Sequence, residues 1–437
     1  MKQEKFGMVL PITLLAYFLI LMDNSIIFTS STQIGQSLEM SATNLSWVSN
    51  AYTLTFGGFL LLSGRLSDLL GRKRIFFIGL IIFGVSSLLI GVSQNATMMI
   101  VMRALQGVGS SIIAPTTLAL MMDAYTGNMR QKAISYYGAM AGIGASVGLL
   151  IGGALTSWIS WRAGFLINVP FTIALIFLTL KCVKSSPMSK SKIDYLGSLL
   201  SILGLGGFIF GLTERSAVLI GISVLVLVAF VLRERAIKFP ILPLMLFKNR
   251  IRSGAYIARL LFMMAMLPYW FFVPQVMQSE FHFSALQAGL GFFPLTVLNF
   301  IVAMQLPKLV AKFGNNRMLM VGEVILFIGL LWTALSDLSN GYWIAIALPM
   351  SVIGIGQGLI LAPVTSAGVH DAPKELAGAA SGLTNTMHQI GGPIGLSIIV
   401  ASTANFHMEV TFMTLFTLLA GIIVAVMILG GSRLKLD

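Results

Sequence analysis

Gly64-Arg65-Leu66-Ser67-Asp68-Leu69-Leu70-Gly71-Arg72-Lys73-Arg74 is a short charged run, bounded by glycines and set between two long apolar stretches. Residues 45–63 before it and 75–92 after it contain no charge at all. Glycine permits a close turn, and a basic cluster beside an apolar stretch marks the cytoplasmic rim of a bilayer. The run is therefore read as the tight inner turn of a transmembrane helical hairpin. A topological loop alone would need neither Asp68 nor this glycine spacing.

The same alternation fills the chain. Of 437 residues, 57% are hydrophobic and 10% charged, against about 25% charged in soluble domains. That composition cannot clothe a soluble surface, and it excludes disordered and collagen-like chains. A single cysteine, Cys182, excludes a disulfide framework. About 20 residues cross the hydrocarbon. On that measure fourteen spans are expected, near 8–31, 45–63, 75–92, 97–122, 133–156, 162–181, 195–213, 216–232, 253–277, 287–307, 318–335, 342–366, 376–402 and 410–431. The first is too long for a removable signal peptide, and a second follows at once.

Charge placement fits this count. With a cytoplasmic N-terminus, 24 of the 28 Lys and Arg residues fall in inside loops or tails. Only Arg162 and Arg215 fall outside, and Arg103 and Arg259 lie within spans. The net charge of +13 thus reports membrane orientation, not nucleic-acid binding. Five tryptophans (Trp47, Trp158, Trp161, Trp332 and Trp343) sit near expected outer boundaries, as an interfacial belt requires.

Two basic linkers, 181–194 and 233–252, isolate two apolar spans that carry no intramembrane charge. Six spans precede them and six follow. The expected organisation is an all-α polytopic membrane protein with both termini cytoplasmic. It comprises a six-helix bundle (1–182), two additional helices with linkers (183–235) and a second six-helix bundle (236–437). Two halves of like orientation with a midplane site are a transporter architecture. Gln106-Gly107-Val108-Gly109 with Ala114-Pro115 in the fourth span echoes Gly356-Gln357-Gly358 with Ala362-Pro363 in the twelfth.

The run at 64–74 resembles the signature of the major facilitator superfamily, G-x-L-x-D-r-x-G-r-k, with Leu69 in place of the usual Arg. Arg103-Ala104-Leu105-Gln106-Gly107-Val108-Gly109 resembles the family's fourth-helix motif. Leu21-Met22-Asp23, Trp47-Val48-Ser49-Asn50-Ala51-Tyr52 and Glu375-Leu376-Ala377-Gly378-Ala379-Ala380-Ser381-Gly382-Leu383-Thr384-Asn385-Thr386-Met387 resemble the fourteen-helix drug:proton antiporter branch that includes QacA-type pumps. The resemblance runs end to end. It implies the major facilitator fold, a multi-pass bacterial plasma-membrane location, a monomer and no cofactor. It also implies a gating loop of Gly64, Asp68, Gly71 and Arg72, with Arg72 meeting Asp123 and Asp68 facing the helix start near Glu375–Gly378. The fifth span carries Gly144, Gly148, Gly152 and Gly153 of the antiporter motif, but Leu149 stands where that motif has proline. His388 stands where the branch has arginine.

Charge at membrane depth is costly and functional. Asp23 lies roughly 20 Å up the first span, and Arg103 roughly 9 Å below the outer boundary of the fourth. The depths coincide, so the two can meet as a structural ion pair or a proton-linked switch. Arg259 and Glu323 lie roughly 10 and 7 Å above the inner face. They form a static salt bridge, or Glu323 faces a cavity and carries protons or meets cations. Met263, Met264, Met266, Tyr269, Trp270 and Phe271 in the ninth span suit an organic substrate, because methionines repack and aromatic faces attract cations. Tyr269 and Trp270 are the substrate candidates, with Asp23 and Glu323.

Export of amphipathic or cationic drugs in exchange for protons is the expected function, with sodium in place of the proton left open by the sequence. The alternative is a carrier for one small metabolite by symport or uniport, which calls for more buried amide and basic groups. An enzyme is not expected: no His/Asp cluster has metal-ligand spacing. Walker A is absent too, so ATP is not the expected energy source.

Overall fold

The computed structural model describes residues 6–184, 194–237, 240–373 and 376–430. These are helical, with no strand among them. The chain forms two compact units, residues 1–193 with 284–286, and 194–283 with 287–437.

The first unit contains α1 (Val9–Ser37), α2 (Ala42–Leu70), α3 (Arg72–Gly91), α4 (Ala96–Ala124), α5 (Gly127–Trp158), α6 (Trp161–Leu166) and α7 (Asn168–Cys182). The second contains α8 (Tyr195–Thr213), α9 (Ala217–Ala236), α10 (Arg250–Ser279), all but the first two residues of α11 (Ala285–Leu290), α12 (Phe293–Phe313), α13 (Asn315–Leu335), α14 (Leu348–Gly368), α15 (Ala377–Ser402) and α16 (Phe406–Ile423). One π-helical stretch, Trp343–Ala347, leads into α14, and another, Val424–Leu429, continues α16. Among the described residues eleven helices are long and apolar enough to cross a membrane, the α6–α7 and α11–α12 pairs each counting once. Three more, α2, α5 and α15, have the length to cross as well.

Side-chain caps set several helix starts. Ser41 accepts from the Asn44 N–H at 3.2 Å, Asn95 from Met98 at 2.8 Å and Asn249 from Arg252 at 3.1 Å; each satisfies an amide the helix itself cannot. The expected single span at 162–181 is broken at Ile167. Pro170, in the first turn of α7, tolerates a helix start there but not an uninterrupted helix. The 285–313 span is likewise broken, just before Pro294. Gly71 joins α2 to α3 at φ +91°, and Gly314 joins α12 to α13 at φ +86°. Both are positions that favour glycine.

Helices in lipid gain little from the hydrophobic effect against one another, so close approach at small residues holds them together. A methyl group at Gly107 would sit 2.3 Å from the Tyr52 carbonyl on α2, and one at Gly109 would sit 2.8 Å from the Phe83 nitrogen on α3. These glycines let α4 lie against both neighbours. On α5, a methyl at Gly148 would meet the Met22 carbonyl at 2.7 Å, and one at Gly152 the Ile26 Cα at 2.8 Å. Backbone contact between α5 and α1 at that depth fixes the helix that carries Asp23.

α8 and α9 form a hairpin within the second unit. Arg233 Nε donates to both oxygens of Asp194 at 2.9 Å, and its Nη2 donates to Oδ1 at 2.6 Å. Thr213 at the other end of α8 donates to Ser397 on α15 at 2.7 Å. The hairpin is therefore tied to the body of its unit by a polar contact.

Candidate functional site

The first unit encloses a buried polar cluster. Asp23 on α1 and Arg103 on α4 are both 0% exposed. Arg103 Nη1 donates to Asp23 Oδ2 at 2.8 Å and to Gln106 Oε1 at 2.6 Å, and Nε donates to the Val48 carbonyl at 3.0 Å. The other oxygen of Asp23 accepts from Gln106 Nε2 at 2.8 Å and from Asn168 Nδ2 at 2.7 Å. Gln106 also donates to Ser87 at 2.9 Å. The guanidinium lies over the Tyr52 ring, 4.2 Å from its centre, while the Tyr52 hydroxyl donates to Ser110 at 2.9 Å. Five helices thus contribute: α1, α2, α3, α4 and α7.

A buried ion pair holds only when its remaining lone pairs and protons are satisfied. Gln106 and Asn168 supply that satisfaction to the carboxylate, with Ser87 accepting from Gln106 behind them, while Arg103 Nη2 has no hydrogen-bond partner among the described residues. Sequence reasoning did not single out Gln106, Asn168 or Ser87. Gln106 could have been found, since it stands three residues after Arg103 and shares its helix face. Asn168 could not, because nothing in its local spacing ties α7 to α1. The carboxylate has no exposed surface in this conformation. A drug therefore cannot touch it without rearrangement of the cluster.

At the α2–α3 turn, Arg72 bridges two acids. Its Nη2 donates to Asp68 Oδ1 at 3.2 Å, and its Nη1 donates to Asp123 Oδ1 and to the Ala119 carbonyl, the latter at 2.9 Å. Gly71 supplies the turn that starts α3 at Arg72. All three charged side chains are partly exposed, 26% for Arg72, 45% for Asp68 and 44% for Asp123. Gly64, one turn before Asp68, has open space around it. Glu375, expected opposite Asp68, lies outside the described residues.

In the second unit Glu323 on α13 is 1% exposed, and neither of its oxygens has a hydrogen-bond partner among the described residues. It sits beside Gly421 of α16, where a Cβ would stand 3.9 Å from its own. Arg259 on α10 reaches instead to the Leu361 carbonyl on α14, at 3.3 Å. Arg259 and Glu323 therefore do not form the static salt bridge that remained open from sequence; α13 turns the acid toward α16 while α10 sends the base to α14. His388 on α15 is placed near enough to Arg259 to feel its charge.

Tyr269 on α10 is 0% exposed, and its ring meets Phe292 edge-on at 6.5 Å. Trp270 is half-buried and tilted against the same Phe292 at 5.7 Å. Of the α5 glycines, Gly144 would meet only the Leu21 side chain if substituted, while Gly148 and Gly152 abut α1 backbone. Gly153 is buried next to them. No group of three or more His, Cys, Asp or Glu among the described residues is arranged to hold a metal.

The Major Facilitator Superfamily profile matches residues 13–396. The cephamycin export protein CmcT of Amycolatopsis lactamdurans is 32% identical over 405 residues, covering 89% of this chain and 83% of that protein. The multidrug transporter protein MdtP of Bacillus subtilis is 29% identical over 411 residues, covering 92% and 76%. The crystal structure of the POT family transporter PepTSo matches with a TM-score of 0.76 at 14% identity, covering 98% of this chain and 99% of its own, and so speaks to the fold. The chain belongs to the Major Facilitator Superfamily, a class of multi-pass membrane transporters and not of enzymes.

Proposed function

We propose that this protein exports amphipathic and cationic drugs in exchange for protons, by alternating access across the bacterial plasma membrane. The observation that carries the reading is the sealed Asp23–Arg103 cluster: a carboxylate at membrane depth held by Arg103, Gln106 and Asn168. Neutralising that carboxylate with a proton removes the Coulombic half of the pair, so protonation and the packing of α1 against α4 are linked. Relatives named for cephamycin export and for multidrug transport support the substrate class and the direction.

Glu323 is the second coupling group in this reading, and it also receives cationic substrates when exposed. Trp270, half-buried on α10, offers an aromatic face to an organic cation, with Tyr269 behind it. Arg72, Asp68 and Asp123 latch one conformation through partly exposed charges that can part at low cost. The chain works as a monomer. Its α6–α7 and α11–α12 pairs each cross once, giving fourteen spans with both termini cytoplasmic; the distribution of basic residues supports that topology.

Purified protein in liposomes tests the reading. Ethidium flux is followed under an imposed pH gradient and, separately, under a sodium gradient. Concentrative flux driven by pH alone is expected. Flux that follows only sodium, or only the substrate's own gradient, removes the proton from the mechanism.

A further inference from the structure

Pro240 and Pro243 keep the linker between α9 and α10 out of a regular helix, so its amides need acceptors from elsewhere. Glu234, in the last turn of α9, supplies one. Its Oε2 accepts from the Leu242 N–H at 2.7 Å, with the Ile241 amide beside it. The Leu242 side chain packs in a cluster with Leu246, Tyr256 of α10 and Ala380 and Leu383 of α15. One carboxyl thus ties the α8–α9 hairpin to a core that other helices of the second unit share.

The other oxygen of Glu234 faces a second acid. Glu234 is 3% exposed, and its Oε1 has no hydrogen-bond partner among the described residues. Asp194, at the start of α8, is buried as well. A methyl group at Gly197, in the first turn of α8, would strike Asp194 Oδ2 and stand 2.7 Å from Glu234 Oε1. Two carboxyl oxygens of different helices therefore converge over one glycine. Arg233 is engaged with both oxygens of Asp194 and forms no ion pair with Glu234. Two like charges so close in a buried place cannot both stay ionised. The arginine fork keeps Asp194 the anion, which leaves Glu234 as the acid to be neutralised.

We propose that Glu234 is a proton-binding site at the end of the hairpin that carries the basic linkers, cytoplasmic in the topology proposed above. Its O–H is donated to Asp194 Oδ2, and the bound proton holds the linker in place through Leu242. The carboxyl takes its proton from water on that side and returns it there; only an O–H bond is made or broken. On release the two carboxylates repel, Glu234 swings away from Asp194, and the Leu242 amide loses its acceptor. The site works whatever solute is exported and whatever drives the export. α8 brings Asp194 and Tyr195 to it, α9 brings Arg233 and Arg235, and the 3-10 turn Leu244–Lys248 brings Lys248. α15, packed on α8, carries His388 deep in its length. Lys190, Lys192, Lys238, Lys374 and Glu375 lie outside the described residues. The competing static role is a permanent Glu234 anion with a linker lysine as its counter-ion.

The test uses the full chain, with Glu234→Gln and Asp194→Asn. Hydrogen–deuterium exchange reads the linker amides between 241 and 248 across pH 5 to 9, corrected for the intrinsic pH dependence of exchange and referred to α1–α5 peptides. Wild-type protection is expected to fall at least tenfold as pH rises. Glutamine makes the contacts of the protonated acid without a titrating group, so Glu234→Gln should stay protected throughout. Asp194→Asn removes the repelling charge, so its linker should stay protected at high pH too; it decides the matter if the glutamine variant does not fold. Infrared titration should also show one protonated-carboxyl component missing from Glu234→Gln. Wild-type protection that ignores pH, variants that lose protection as wild type does, or an unchanged infrared titration overturns the proposal. Exchange is read without substrate or gradient, so failure of the export reading in liposomes leaves this result standing.

Discussion

Arg103 and Asp23 meet across α4 and α1 at 2.8 Å with neither side chain exposed to solvent. Removing one partner of such a buried pair leaves a charge with no water to turn to, at a cost of about 3–5 kcal/mol. Arg103→Ala is therefore expected to lower thermal stability sharply in detergent. Asp23→Asn keeps the size of the side chain and the contacts from Gln106 and Asn168. It leaves the Arg103 guanidinium, which cannot shed its proton, buried without a counter-ion, so it is expected to lower stability as well and to abolish pH-driven export. Wild-type export from a folded Asn variant would remove Asp23 from the coupling.

Arg72 joins Asp68 and Asp123 at the turn between α2 and α3. These groups are partly exposed, so solvent screening holds the static worth of each contact to about 1 kcal/mol or less. Arg72→Ala should then leave the melting temperature nearly unchanged while reducing transport by an order of magnitude or more. Lysine places one charge where the guanidinium fork spans two acids, so Arg72→Lys should not restore the rate. Equal loss of stability and transport would make the turn a structural brace and not a latch.

The α1–α5 interface predicts a graded glycine series. Gly138 has nothing within 4 Å, Gly144 would meet only the flexible Leu21 side chain, and Gly148 and Gly152 would meet α1 backbone. Alanine should be tolerated at 138, mildly harmful at 144, and clearly destabilising at 148 and 152. Overpacking of this kind costs about 1–3 kcal/mol. Thermal unfolding of the four variants, compared in one detergent, checks the order.

The α2–α3 hairpin and the depth match of Asp23 with Arg103 were legible because each follows from local spacing and the cost of charge in lipid. The Asp23 cluster as a whole was not. Asn168 joins it only through the packing of α7 on α1, and Ser87 is one serine among many until α3 packs on α4. Whether Arg259 meets Glu323 stayed open in the sequence for a related reason. Depth along a helix is readable from sequence, but rotation about its axis is set by neighbours such as Gly421. Gly314 repeats the role of Gly71 in the second unit, yet Asn315-Asn316-Arg317 lacks the dense charge that made 64–74 conspicuous.

Asp194 gives a pH-dependent test outside the membrane segments. Burial pushes its carboxyl up, but the hydrogen bonds from Arg233, with the Gly197 and Leu196 amides, bring it below the ordinary aspartate value. A carboxyl lowered by folding adds stability above its unfolded value of about 3.9, and that stability is lost as pH falls through the folded value. Wild-type protein should show an acid-side loss of thermal stability that Asp194→Asn lacks. Identical acid limbs in the two proteins would mean the Arg233 contact contributes nothing.

Arg259 and Glu323 provide the sharpest discrimination in the second unit. Arg259 donates to the Leu361 carbonyl, while Glu323 lies against Gly421 on another face of the bundle. Residues that share no contact have stability effects that add to within about 0.5 kcal/mol, whereas a buried ion pair couples much more strongly. A double-mutant cycle of Arg259→Gln and Glu323→Gln, read by thermal unfolding in detergent, should therefore show near-additivity. Their transport phenotypes should separate as well. Glu323→Gln should lose cationic substrates selectively across pH 6 to 8, while a neutral drug is still carried. Arg259→Gln should impair both classes alike, because its contact braces α10 against α14. Strong coupling in the cycle, with matching loss for every substrate, would restore the ion pair in some state of the transport cycle and remove Glu323 from cation selection.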